Sequence, residues 1–98
     1  MARDKLSETE IDEALSALPG WARAEDGRSI MRRFTFADFG EAFAFMARSA
    51  LAAEKMDHHP DWSNVYKTVD VMLSTHDAGG VTELDVALAR RMNGYAGG

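Results

Sequence analysis

The chain reads EKMDHHPDW at positions 54–62, where a long helical pattern gives way to a pair of predicted strands. Pro60 disfavours helical geometry at the residue before it, so we expect the helix to end at Asp57 or His58. Glu54, Asp57 and two of the three histidines of the chain stand at this predicted helix end. The segment is therefore the first candidate for an active site.

Upstream of this segment, neither Gly nor Pro interrupts the chain between Glu41 and Pro60, which predicts one long helix. Asp38 can cap its amino terminus. Apolar residues recur at helical spacing, and we expect them to form a core stripe: Phe39, Ala42, Phe43, Met46, Ala50 and Ala53. A second apolar set widens the sector beyond what one sheet contact needs: Phe45, Ala52 and Met56. A helix face shared with a second copy of the chain is compatible with this pattern.

The remaining elements follow from caps, turns and alternation. A capping box and helical spacing predict a helix over residues 8–18, and the turn at Asp26-Gly27 joins predicted strands at 21–24 and 29–36. The further predictions are strands at 62–65 and 68–73 joined by Tyr66-Lys67, a loop over 75–80, and a helix capped by Thr82 and Asp85 that ends at Asn93-Gly94.

This order predicts an α+β two-layer sandwich, in which three helices cover one face of a four-stranded antiparallel sheet. The element order is α-β-β-α-β-β-α. We expect one domain over residues 1–98, with a core at about 5–94 and a loose tail at 95–98.

Composition limits the functions open to the chain. Its 98 residues, 46% of them apolar, suit one compact domain. The formal charge of −5 argues against a nucleic-acid surface, which needs clustered basic residues. No apolar run approaches the roughly 20 residues of a membrane helix, and the amino terminus is too polar for a secretory signal, so we expect a cytoplasmic protein. Without cysteine, acid–base chemistry by histidines and carboxylates is the main catalytic option.

The three histidines are predicted to meet at one edge of the sheet. Glu54 and His58 are four residues apart, within hydrogen-bonding reach if the helix persists, whereas His59 points elsewhere. Antiparallel pairing of the last two strands brings the segment from Ser74 to His76 back beside Asp61-Trp62. Each histidine alone is more typical of a solvated helix end or turn. The hypothesis of an active site therefore depends on all three histidines being predicted at the same place.

Together these residues resemble a known signature, that of the pterin-4a-carbinolamine dehydratases. The matching pattern is Glu54, three residues, His58-His59-Pro60, five residues, Tyr66, nine residues, His76, eight residues and Asp85. The resemblance covers roughly residues 5–94. It implies the family's fold, which coincides with the predicted sandwich, and its reaction, the loss of water from 4a-hydroxytetrahydropterin to give quinonoid dihydropterin. It implies no metal or organic cofactor.

The resemblance also implies roles for individual residues. His58, His59 and His76 match the family's active-site histidines, and Glu54 matches the carboxylate that supports them. We expect His58 and His59 to donate and accept protons near the 4a-hydroxyl, and His76 to hold the substrate and to share the proton work.

A second group of candidates carries less specific signals. Trp62 either borders the pterin ring or packs in the core. Asp57 and Asp77 are candidates for substrate binding and for orienting imidazoles. Asp85 matches the signature, but a helix cap alone explains it.

Two other classes of function stay open. Three imidazoles and a carboxylate are a zinc-site composition, although adjacent histidines suit one ion poorly. The resemblance also implies that members form homodimers or homotetramers, and that animal members act as a dimerisation cofactor for a transcription factor. Two metabolic settings stay open for the chain. One is a functional link to an aromatic amino-acid hydroxylase, and the other is a role in molybdenum-cofactor metabolism.

Overall fold

The computed structural model describes residues 4–97, and Gly98 of the predicted tail lies outside them. The predicted order of elements is confirmed. The helices are α1 (Glu8–Ser16), α2 (Phe39–Met56) and α3 (Glu83–Tyr95), and the strands are β1 (Ala22–Arg23), β2 (Ile30–Thr35), β3 (Asp61–Val65) and β4 (Thr68–Leu73). A short 3-10 turn, His76–Ala78, replaces part of the predicted loop after β4.

All strand pairs of the sheet are antiparallel, and the order is β1-β2-β4-β3. The predicted fold class, three helices with a four-stranded antiparallel sheet, is confirmed. Because β2 and β4 lie in the centre, the last strand in the sequence has a neighbour on each side. Its residues Val69, Val71 and Leu73 are buried on the helix-covered face, as the alternating pattern predicts.

Aromatic side chains link the sheet to α2. The ring of Phe34 on β2 lies 4.5 Å from that of Phe45 on α2 and 5.9 Å from that of Trp21, measured between centroids. Such pairs add to the free energy of burial because their quadrupoles favour offset and edge arrangements. They fix α2 over the sheet and thereby fix the position of its carboxyl end.

The predicted core stripe of α2 is partly wrong. The buried residues of this helix are Ala42, Phe45, Ser49, Ala52 and Ala53. Phe39 and Phe43 are 48% and 57% exposed, and Leu51 is 74% exposed. A helix that packs on a sheet and on one neighbouring helix buries only a sector of its circumference. The apolar residues of α2 occupy a wider sector than the one that is buried. The sequence pattern therefore did not identify which of them face solvent.

Arg32 lies on the inner face of β2, on the same side as the buried Ile30 and Phe34. Its guanidinium donates to the carbonyl of Pro19 and to Oδ1 of Asn93, and its Cζ lies 4.2 Å from the centroid of Phe34. The indole of Trp21 donates to the same Asn93 oxygen over 2.8 Å. This network joins the segment after α1 to α3.

The strands β1, β2 and β3 differ from their predicted bounds by one residue at one or both ends, and two helices differ more. Helix α1 ends at Ser16, before the predicted residue 18, and α3 continues through Asn93-Gly94 to Tyr95. The glycine of α3 therefore does not terminate the helix, and Tyr95 is not part of a loose tail. Within residues 4–97, none of the helices combines the length and hydrophobicity needed to cross a membrane.

Gly20 and Gly27 allow a matched test of the Arg32 network. Both have positive φ, 86° and 71°, but a Cβ on Gly20 would lie 2.5 Å from Nε of Arg32, whereas one on Gly27 would meet no atom within 4 Å. We expect Gly27→Ala to lower the free energy of unfolding by about 1–2 kcal/mol, the cost of left-handed backbone. Gly20→Ala should cost at least about 1 kcal/mol more, because the hydrogen bonds of Arg32 must break or shift.

Urea unfolding followed by circular dichroism measures both variants. Equal losses would mean that Arg32 moves aside freely and that the network contributes little.

Candidate active site

The carboxyl end of α2 sets the directions of the two adjacent histidines. Asp57 has left-handed backbone, with φ of 52°, and its amide donates to the carbonyl of Glu54 over 3.1 Å. The amide of His58 donates to the carbonyl of Ala53 over 3.0 Å. This pair of bonds is the Schellman arrangement that ends helices. The helix thus ends where Pro60 predicts, and the chain reverses direction between Glu54 and His59.

His58 turns into the protein and pairs with Asp85. Its Nε2 makes a short hydrogen bond to Oδ1 of Asp85, and the two residues are 8% and 0% exposed. The predicted pair of Glu54 with His58 is therefore wrong. The spacing of four residues brings side chains together only inside a helix, and the left-handed Asp57 removes His58 from it.

Asp85 holds this imidazole as part of a buried polar network. Its other oxygen, Oδ2, accepts from the hydroxyl of Thr75 and from the amide of Thr82, each over 2.9 Å. The two threonine hydroxyls lie 2.7 Å apart. The predicted capping box of α3 is confirmed. The interpretation that the cap alone explains Asp85 is wrong, since the same carboxylate binds His58.

Thr75 and Thr82 are site residues that sequence reasoning did not identify. Thr82 was predicted only as a helix cap, and Thr75 only as a loop residue. A signal was available, because Asp85 belongs both to the family signature and to a capping box with Thr82. Nothing in the sequence places Thr75 beside them, because it comes from the other end of the 3-10 turn.

His59 turns outward and pairs with Glu54. Its Nε2 lies 2.9 Å from Oε1 of Glu54, and the two side chains are 58% and 80% exposed. Glu54 thus contacts a candidate active-site histidine, as expected. That histidine is His59, whereas the spacing indicated His58. The two neighbouring imidazoles each have a carboxylate of their own, one pair buried and the other in water.

His76 begins the 3-10 turn that follows β4, and its side chain is exposed. The hairpin at Tyr66-Lys67 is confirmed, but its register differs from the prediction. Asp61 and Trp62 pair with Met72 and Val71, not with the segment from Ser74 to His76. Continued by two residues, this register aligns His59 with Ser74, two positions before His76. The histidines come from adjoining segments at one end of the sheet.

The other predicted site residues have different surroundings. Trp62 is half-buried and packs against the hydrophobic core, so it has a packing role. Asp57 and Asp77 are exposed, and within residues 4–97 neither carboxylate hydrogen-bonds to a histidine. Within the same residues, no group of three histidines and carboxylates is arranged to hold a metal ion.

The two pairs constrain which ring nitrogen can exchange protons. A carboxylate accepts from Nε2–H, so a neutral ring held in this way carries its lone pair on Nδ1. The same Nδ1 becomes a donor when the ring is protonated. His58 and His59 can each work as acid or base through Nδ1, and the carboxylates fix the tautomer, as carboxylates do in other histidine sites.

Fold and site together define a small α+β protein with two histidine–carboxylate pairs at one end of its sheet. The chain belongs to the pterin 4 alpha carbinolamine dehydratase family, whose model matches residues 4–95. The resemblance noted from the signature is thereby confirmed.

Close relatives cover the full length of the chain. A protein of Mesorhizobium japonicum is 68% identical over 98 residues, all of both chains, and one of Chelativorans sp. is 62% identical over 96 residues, 98% of each chain. Both are described as "Putative pterin-4-alpha-carbinolamine dehydratase".

Solved structures share the fold. A transcriptional coactivator/pterin dehydratase from Brucella melitensis is 54% identical, with a TM-score of 0.93 over 95% of this chain and 99% of that one. A pterin dehydratase-like protein described as a RuBisCO assembly factor in the alpha-carboxysome has a TM-score of 0.68 over 80% of this chain and 90% of that one. At 24% identity, this second likeness concerns the fold alone.

Substitution of Asp38 and of Asp85 tests whether Asp85 does more than cap a helix. Both residues belong to helix caps, but only Asp85 also binds a histidine. Asn caps helices about as well as Asp, so Asp38→Asn, at the amino terminus of α2, should change the free energy of unfolding by less than about 1 kcal/mol. Asp85→Asn should cost about 1.5–3 kcal/mol, because the buried His58 loses a charged hydrogen-bond partner.

Chemical unfolding of both variants gives the two values, and the imidazole nitrogen shifts of His58 in NMR spectra report its tautomer. If Asp85→Asn is as mild as Asp38→Asn and leaves those shifts unchanged, Asp85 acts only as a cap.

Proposed function

We propose that the chain catalyses the dehydration of 4a-hydroxytetrahydropterin to quinonoid dihydropterin and water. The observation that carries this proposal is the pair of adjacent histidines, His58 and His59, each hydrogen-bonded to its own carboxylate. Membership of the family and the names of the close relatives support it. The family's chemistry requires acid and base groups that work near neutral pH, and imidazoles with an ordinary pKa of about 6.5 meet this need.

The reaction needs two proton transfers. The bond between C4a and the hydroxyl oxygen breaks as a proton reaches that oxygen, and water leaves. A proton then leaves the adjacent ring nitrogen, and its electron pair forms the carbon–nitrogen double bond of the product. An acid and a base within reach of the hydroxyl and of the ring nitrogen accomplish both steps without a redox cofactor or a metal.

We assign the base to His58 and the acid to His59. The buried Asp85 holds the His58 ring in one orientation and leaves Nδ1 as its lone-pair nitrogen, which suits proton removal at a fixed position. His59 is exposed and can recover its proton from solvent after each turnover. In this proposal His76 holds the pterin ring and shares the proton work. Glu54 supports His59, and Asp57 and Asp77 contribute indirectly, through the turns that carry the histidines.

The physiological setting is part of the proposal. A tetrahydropterin cofactor that carries a 4a-hydroxyl is the product of a hydroxylation, so the consistent setting is cofactor recycling beside an aromatic amino-acid hydroxylase, in the cytoplasm. We further propose that residues 1–98 work as one domain with a core at about 5–94, a proposal that the family match over residues 4–95 supports.

We also propose that the chain self-associates through α2. Phe39, Phe43 and Leu51 recur every four or eight residues along one side of the helix and are exposed, and the rings of the two phenylalanines lie 5.8 Å apart. Such a continuous apolar ridge is typical of a subunit interface. A homodimer or homotetramer with antiparallel α2 helices would bury it. A protein-partner role, in line with the coactivator description of the Brucella relative, would use the same ridge.

His59→Ala and His76→Ala test the reaction. With chemically prepared 4a-carbinolamine in a stopped-flow instrument, we expect His59→Ala to lower kcat at least about tenfold, since acid–base groups contribute about 10²–10⁴-fold. We expect His76→Ala to raise KM more than it lowers kcat. Rates are taken after subtraction of the spontaneous reaction.

Folded controls are needed because both histidines lie near turns. Each variant should keep the circular dichroism spectrum of the wild type, and Arg91→Ala, an exposed change on α3, should keep its rate. A wild type that gives no rate above the background would refute the proposed activity. Unchanged rates in both histidine variants would remove them from the mechanism.

Light scattering of Phe39→Ser/Phe43→Ser tests self-association. The double substitution removes both rings of the ridge, so the molar mass should fall to that of a smaller assembly or of a monomer. Met31→Ser, at a 41% exposed residue of the open sheet face, is the control and should leave the mass unchanged. A wild type that is already monomeric would contradict the proposal.

A further inference from the structure

A cavity of about 400 Å³ lies at the carboxyl end of α3, away from the histidines. Its lining comes from residues 17–19 after α1, from β2 and from the last two turns of α3. Asp85, the histidine partner, stands in the first turn of α3, and Asn93, which lines the cavity, follows eight residues later. Eight residues span about 12 Å along a helix axis. The cavity is therefore separate from the site of the proposed reaction.

The ionisable side chains of this cavity are all basic. Although the chain has a formal charge of −5, the described lining holds Arg32 and Arg90 and no carboxylate. Within residues 4–97, neither guanidinium forms an ion pair. Arg90 is exposed and Arg32 is half-buried. Burial lowers the pKa of Arg32, because no carboxylate offsets the loss of hydration, yet the guanidinium stays charged at neutral pH. An anion in the cavity would supply the missing partner.

The contacts of Arg32 leave one edge of its guanidinium free. Nη1 donates to the carbonyl of Pro19 over 3.0 Å and to Oδ1 of Asn93 over 2.5 Å. A Cβ built on Gly20 would lie 2.5 Å from Nε, 2.8 Å from Cζ and 2.9 Å from Cδ. Because the distances to the two atoms bonded to Nε are nearly equal, Gly20 covers the flat face of the group and not the direction of its Nε–H bond. Among the described residues, Nε and Nη2 donate to no acceptor.

This free edge has the geometry that recognises a carboxylate. The Nε–H bond and one N–H bond of Nη2 are parallel, and they match the two oxygens of a carboxylate. The bonds of Nη1 and the ring of Phe34, 4.2 Å from Cζ, already hold the group in place. Little side-chain entropy is then lost when a ligand binds.

The end of α3 opposes an anion only weakly. A helix carries about half a negative charge at its carboxyl end. Two of the carbonyls there, those of Met92 and Gly94, already accept from the amides of Ala96 and Gly97. Two full positive charges outweigh what remains of this partial charge.

The rest of the lining favours a ligand with an apolar body. Ala17, Leu18, Pro19 and Ala96 contribute apolar side chains. The volume of about 400 Å³ lies within the range of about 300–1,000 Å³ that is typical of small-molecule pockets. A bare inorganic anion would leave the apolar surface in water, whereas an organic ligand gains free energy by covering it.

We propose that this cavity binds a small organic carboxylate with an apolar body. The free edge of Arg32 holds the two carboxylate oxygens, Arg90 adds a second positive charge, and the apolar body lies against Leu18 and Pro19. The site does not depend on the proposed dehydration, because it shares no residue with the histidine pairs.

An NMR titration with matched ligands tests this site in the intact chain. We expect 3-phenylpropanoate to bind at least about tenfold more tightly than its neutral amide, the gain of charged hydrogen bonds. It should shift the backbone amide signals of Gly94 and Gly97. Inorganic phosphate should bind more weakly than 3-phenylpropanoate, because it buries no apolar surface.

Substitutions of arginine locate the charge that matters. Arg90→Ala should weaken 3-phenylpropanoate about threefold and leave the affinity of the amide unchanged. Arg91→Ala is the matched control, because it removes the same charge from an exposed neighbour outside the cavity. Arg32→Lys keeps the charge but loses the parallel donors, so it should lower the affinity for the carboxylate at least about fivefold.

The amide spectrum shows whether each variant is folded, and if Arg32→Lys is not, the comparison of Arg90→Ala with Arg91→Ala decides alone. Three results would each overturn the site: equal affinities for the carboxylate and its amide, phosphate that binds as tightly as 3-phenylpropanoate, or equal effects of Arg90→Ala and Arg91→Ala. Signal shifts confined to residues away from the end of α3 would overturn it as well.

Discussion

The hydrogen bond between His58 and Asp85 joins the three parts of the chain on which the site depends. It fastens the end of α2 to the start of α3, and through Asp85 it reaches Thr75 at the exit of β4. A buried charge is costly unless its hydrogen bonds are satisfied. Asp85 meets this requirement with His58, Thr75 and the amide of Thr82, so the network fixes a single arrangement of these elements.

A left-handed residue makes this arrangement possible. Had α2 continued, His58 would have stayed over Glu54, and two adjacent imidazoles could not have found separate carboxylates. The reversal at Asp57 sends one ring into the protein and the other into water. One short segment thus supplies two imidazoles with different surroundings. Different surroundings are what commonly allows one of two like groups to act as an acid and the other as a base.

The central position of β4 organises the rest of the site. As β4 has β2 on one side and β3 on the other, its exit lies between the β1–β2 turn and the segment of His59. The cleft between the β1–β2 turn and the exit of β4 therefore lies beside the segment of His59.

The sequence by itself determined the elements, their order, the antiparallel sheet, the end of α2 and the family, because periodicity, caps, turn residues and signature spacing are local properties of the chain. Only the tertiary structure decided the carboxylate partners. The pair of His58 with Asp85 spans 27 residues, and the exchange of Glu54 from His58 to His59 follows from one backbone angle at Asp57. The sequence pattern wrongly placed Phe39 and Phe43 in the core stripe, because an apolar pattern does not say which part of a wide sector the sheet covers.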